Sequence, residues 1–115
     1  MSDAYSIGVA RLSRVAGVRG ALVVEAATAM PIAAELQEDV NGTALSALAA
    51  ALYQRTAEAS ASAQLGPIES VQLDADDGHV IMVGAGDVVL IVISERSAQL
   101  GMVRLEARRV AAALL

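Results

Sequence analysis

The sequence predicts an α+β domain in which helices pack on a five-stranded antiparallel sheet, in the order α-β-β-α-β-β-β-α. Three observations predict it. Apolar runs of strand length alternate with stretches of helical periodicity. Short turn signals join neighbouring runs, which makes the connected strands antiparallel. A chain of 115 residues is one domain's worth, so a single domain over 1–115 holds all of these elements around one sheet.

The first helix is expected over Ser2 to Ala16. Tyr5, Val9, Leu12 and Ala16 share a stripe, Ser2 offers a cap and Gly17 a stop. Gly20 to Glu25 (GALVVE) and Met30 to Leu36 (MPIAAEL) follow as a hairpin with a four-residue loop, Pro31 standing where no ladder donor is needed. Asp39 or Asn41 can cap the longest helix, Thr43 to Gln64, which Gly66-Pro67 stops. A three-strand meander comes next: Ile68 to Ala75, Val80 to Val83 and Val88 to Ser94. Asp76-Asp77-Gly78 turns its first hairpin, because Asp-Gly supplies the positive φ that such turns need. The run VVLIVIS is apolar on both faces, so it belongs at the sheet centre with helices above and below. A last helix, Ala98 to Leu114 with Ser97 as cap, buries Leu100, Val103, Ala107, Val110 and Leu114 and leaves Arg104, Glu106 and Arg108 in solvent.

Composition narrows the function. Net charge is −5, aromatic residues are 2%, and neither Phe nor Trp occurs, which leaves no basic stripe and no stacking platform for nucleic acid. With no cysteine, thiol chemistry and Cys-ligated zinc are excluded, and His79 stands alone. Met-Ser-Asp starts the chain without a basic, then apolar, leader, and the run Val80 to Ile93 is too short and interrupted to span a bilayer. A cytoplasmic protein with no membrane association is expected, which also leaves the Asn41-Gly42-Thr43 sequon unused.

No catalytic constellation emerges. Gly84-Ala85-Gly86 lacks the third glycine and following helix of a dinucleotide loop and reads as a hairpin turn. Asp74, Asp76 and Asp77 have no Glu at the distance a calcium loop requires. Ser94, Ser97 and His79 form no nucleophile elbow. Arg108 and Arg109 suit the negative end of a last helix. The chain is therefore expected not to be an enzyme and to carry no cofactor.

Surplus apolar surface points to self-association. In TALSALAAALY, Thr43 to Tyr53, the stripe Leu45, Leu48 and Leu52 suffices for packing on the sheet, yet Ala44, Ala47, Ala49, Ala50 and Ala51 leave the remaining sides apolar. A second copy is the simplest cover. The strand that follows, Ile68 to Ala75, could hide an open edge by pairing with its counterpart.

The order of elements, with GVRGALVVE leading into MPIAAEL, the helix ALSALAAALYQRTAEAS and the closing GDVVLIVISERSAQLGMVRLEARRVAAAL, resembles the roadblock family of dynein light chains and bacterial MglB-like GTPase regulators. Leu100, Gly101, Met102, Val103 and Arg104 stand where that family opens its last helix. The resemblance covers about Gly17 to Leu115 and implies a profilin-like sheet sandwiched by helices. It also implies dimers formed through the central helix and the next strand, and a small Ras-like GTPase as partner, the nucleotide and metal staying on the GTPase. The chain departs from the family at the first hairpin, where Ala26-Ala27-Thr28-Ala29 replaces an Asp-Gly turn, and in ending directly after the last helix. The dimer interface is then expected at Ala49, Ala50, Tyr53, Thr56 and Ala57 of the helix and Glu69, Val71 and Leu73 of the strand. The function expected is a homodimeric regulator, in the manner of a GTPase-activating partner, of a small Ras-like GTPase. The alternative is a structural dimerisation or scaffold module without effect on GTP hydrolysis.

Overall fold

The computed structural model describes residues 3–115. Its elements run α1 (Ala4–Ser13), β1 (Val18–Glu25), β2 (Pro31–Leu36), α2 (Gly42–Ser62), β3 (Ser70–Ala75), β4 (Gly78–Ala85), β5 (Val88–Glu95) and α3 (Leu100–Ala113). The expected order is therefore the observed one. All strand pairs are antiparallel, in the order β2-β1-β5-β4-β3.

The run read as apolar on both faces is β5, and it lies in the middle of the sheet with Val88 through Ser94 buried. Its alternation divides the core in two. Ala21, Val23, Leu90 and Val92 face the layer made by α1 and α3, where they meet Val9, Leu12, Val103, Ala107 and Val110. Leu22, Val24, Met82, Val89 and Ile91 face the opposite way, toward α2. A one-residue slip between β1 and β5 would exchange the two sets, so pairing such as Leu22 with Ile91 and Val23 with Leu90 is strongly specified. Each fully buried Val, Leu or Ile contributes about 1.5–3 kcal/mol, and the doubly covered strands β1 and β5 hold most of them.

Local chemistry explains the element ends. Asp3, not Ser2, caps α1: its carboxylate accepts from the Ser6 amide at 2.8 Å, while Ser2 lies outside the described residues. Gly17, at φ 85°, turns the chain into β1 with the Ala98 side chain against it, where a larger residue would be strained and crowded. In the β1–β2 loop Ala29 takes φ 61°. Thr28 steadies that turn, accepting from the Met30 amide at 3.2 Å and donating to Glu25 at 3.1 Å. Ser97 does not cap α3: Gln99 occupies that position and makes no side-chain cap bond. Glu106, expected in solvent, is half-buried between Arg11 (3.2 Å) and Arg109 (2.9 Å). Among the described residues no helix is long and apolar enough to cross a membrane.

Candidate self-association surface

Helix α2 begins where Asn41 accepts a hydrogen bond from the Ala44 amide at 3.1 Å, and Ser46 donates back to the Gly42 carbonyl at 2.7 Å. From there it packs on β1, β2 and β5. The residues pressed against the sheet are Ser46, Ala49 and Ala50, with Leu45, Leu52 and Tyr53 along the margins. Ala49 and Ala50 are only 2% and 3% exposed, whereas Leu48 is 58% exposed. The expected stripe of Leu45, Leu48 and Leu52 is thereby corrected. Small residues line the centre of the contact, and the exposed Leu48 beside them points away.

Ala49 and Ala50 therefore belong to the chain's own core and are not available to a second copy, which corrects their place among the expected interface residues. Tyr53, Thr56 and Ala57 are half-buried. Tyr53 spans the gap to β4, its phenol lying over Gly84 where any Cβ would collide with it. Burial pushes the Tyr53 hydroxyl up from its ordinary range. Gln54 ties the helix to the first hairpin by donating to the Ala26 carbonyl.

On the strand side, among the described residues β3 pairs with β4 alone, so its outer edge carries backbone groups without a strand partner there. Val71 is half-buried against the α2-side core, Leu73 is 37% exposed and Glu69 is exposed. Leu73 pairs in register with Val80, itself half-buried. An apolar strip thus runs over β3 and β4 beside α2. The residue that sequence reasoning missed here is Leu48. Counting the helical period from the Asn41 cap through Ser46, Ala49, Ala50 and Tyr53 would have turned it outward.

The end of this hairpin is held by polar contacts. His79 lies 2.7 Å from Asp74 through Nδ1 and 3.3 Å from the Arg96 carbonyl through Nε2. Arg96 donates to the carbonyls of Ala75 (3.2 Å) and Asp76 (3.1 Å). Hydrogen bonds from the Gln72 amide and then the His79 ring hold the Asp74 carboxyl below the usual carboxylate range. His79 is a half-buried clamp between the hairpin and the loop after β5. Among the described residues no group of three or more His, Asp or Glu could hold a metal ion.

Residues 8–95 match the family model of the Roadblock/LC7 domain. A Methanocaldococcus jannaschii protein, MJ0714, is 29% identical over 100 residues, spanning 87% of this chain and 84% of its own length. Among solved structures, MglB of Myxococcus xanthus superposes with a TM-score of 0.87 at 20% identity, over 96% of this chain and 90% of that one. A Roadblock/LC7 domain from Streptomyces avermitilis gives 0.85 at 18% identity, over 95% and 92%. The structures share the fold; at these identities they carry no residue-level assignment.

Proposed function

This chain belongs to the Roadblock/LC7 domain family, and from that premise we propose that it is a homodimeric regulator of a small Ras-like GTPase. The observation that carries the self-pairing is the coincidence of two open features on one side of the molecule. Leu48 stands out from α2, and β3 presents an unpaired edge next to the strip of Val71, Leu73 and Val80. Two copies related by a two-fold axis would join the β3 edges into one sheet and bring their α2 helices together over it. Tyr53, Thr56, Ala57, Glu69, Val71 and Leu73 fall at or beside that seam.

The family supports the rest of the reading, since its bacterial MglB-like members are regulators of GTPases, and MglB is a structural neighbour. Such a dimer would act by holding the switch segments of the GTPase in one conformation, with the nucleotide and its metal on the partner. No group of this chain takes part in bond making. Acting through a cytoplasmic GTPase, the dimer would work in that compartment.

Two measurements test this. Sedimentation of the wild type should give a dimer, and Leu48→Glu should give a folded monomer; a wild type that sediments as a monomer sinks the self-pairing. Single-turnover GTP hydrolysis by a candidate Ras-like GTPase should change when the dimer is added. Tight binding with unchanged hydrolysis would leave the scaffold reading in its place.

A further inference from the structure

Charge is distributed unevenly over this acidic chain. Helices α1 and α3, counted with their cap residues, carry five of the eight arginines (Arg11, Arg14, Arg104, Arg108 and Arg109) and only two of the thirteen carboxylates, Asp3 and Glu106. Glu106 is shared, one oxygen to Arg11 and the other to Arg109. Arg104 donates to the neutral Gln72 at 2.8 Å, and Arg108 reaches Glu69 only at 3.9 Å. Positive charge on this layer therefore exceeds what its own surroundings neutralise.

The same layer exposes large apolar side chains. Leu105 is 44% and Met102 50% exposed, three positions apart and so one turn apart on α3. Helical geometry places Leu105 at the middle of the outward face, with Arg108 to one side and Arg109 to the other, opposite the buried stripe of Val103, Ala107 and Val110. Ile7, also exposed, lies one turn before Arg11 on α1, which packs beside α3.

From this we infer that the α1–α3 layer is a docking face for an acidic protein segment, one that sets an apolar side chain against Leu105 and Met102 and flanks it with carboxylates. Three features select that occupant. Guanidinium groups bind carboxylates through two parallel hydrogen bonds, and all the basic side chains here are arginine. An anionic bilayer fits poorly, because the layer has no Trp or Phe to sit among headgroups and the rest of the molecule is strongly acidic. Nucleic acid lacks an aromatic platform. The face lies on the other side of the sheet from α2, and although Arg104 of α3 reaches Gln72 of β3, Leu105 and Met102 project outward from α3, away from the α2 seam. The inference rests on the proposed self-pairing only in taking that opposite side as the dimer seam.

The test uses the full chain, labelled for amide-resolved NMR, and a synthetic amphipathic peptide bearing leucines flanked by glutamates. Its lysine counterpart and phosphatidylserine–phosphatidylcholine vesicles serve as rival probes. The glutamate peptide should shift the amides of α3 around Leu105 and of α1 around Arg11, saturably, and bind at least about tenfold more weakly when salt is raised several-fold. Leu105→Asp, and Arg108→Gln combined with Arg109→Gln, should each weaken it about tenfold while spectra elsewhere and the sedimentation coefficient stay unchanged. No saturable shift, shifts centred on α2 and β3, equal binding of the lysine peptide, or preferential binding to vesicles would each overturn the inference. Peptide binding on α3 by a wild type that sediments as a monomer would leave this face standing and remove only the self-pairing.

Discussion

Helices α2 and α3 lie on opposite faces of one sheet, yet they bury their residues by different rules. α3 hides Val103, Ala107 and Val110 and turns arginines outward, the ordinary division of an amphipathic helix. α2 hides Ala49 and Ala50 and turns Leu48 outward. The difference teaches that hydrophobicity alone did not choose the inner face of α2. Methyl groups fill the centre of its contact with the sheet, and the larger Leu45, Leu52 and Tyr53 close the margins. Leu48 is left on the far side, where it becomes surplus surface.

The largest expected effect would break this comparison at its root. Ala49→Glu should cost more than about 3 kcal/mol and unfold much of the protein, because it buries an unpaired charge against Leu22 and Ile91. Leu48→Glu, one residue away, should leave the melting temperature of the monomeric unit within a few degrees; a comparable loss in both variants would show that Leu48 is part of the core. Thermal melts followed by circular dichroism decide it. Ala50→Leu should cost about 1–3 kcal/mol by overpacking, and a neutral result would mean that α2 rides higher on the sheet than described.

Smaller effects sharpen the contrast between the two faces. Ser94 sits at the α1–α3 side of β5 with its hydroxyl buried and without a hydrogen-bond partner. Ser94→Ala should therefore leave stability unchanged or raise it by up to about 1 kcal/mol, measured by urea unfolding. The smallest effect is acid-dependent. Amide hydrogen bonds, that of Ser6 foremost, hold the Asp3 carboxyl low, and Gln72 and His79 do the same for Asp74. Each folded-state pKa lies below the unfolded one, so their contribution is complete above pH of about 4 and is lost as pH falls through the folded values. Asp3→Asn together with Asp74→Asn should flatten that part of the stability profile.

How much of this was legible depended on which force decided each element. Strand β5 could be placed at the centre because seven consecutive apolar or small residues need cover on both faces. The Asp76–Gly78 turn could be read because its backbone demands few residue types. The partition of α2 could not, since a pattern of leucines and alanines fits two rotations of a helix, and only the depth of the sheet beneath selects one. Ser97 suits a cap because hydroxyls favour that position, yet the helix starts two residues later than its composition suggests, at Leu100, and Gln99 opens it instead. Of the residues expected at the seam, those from β3 sit at an open edge, because an edge strand follows from topology. Those from α2 divided, because a helical position depends on packing depth.

The pairing of β1 with β5 has a consequence for how the chain reaches its fold. Every other contact in the sheet joins neighbours in sequence: β1 with β2, β3 with β4, β4 with β5. Only β1 and β5 meet across the whole span from Glu25 to Val88. Formation of the sheet is therefore two local events followed by one slow closure, the step whose loop entropy sets the folding rate. Until it happens, β5 presents a bare apolar edge. During synthesis β5 emerges after the N-terminal hairpin, so that hairpin is already waiting for it when its apolar edge appears.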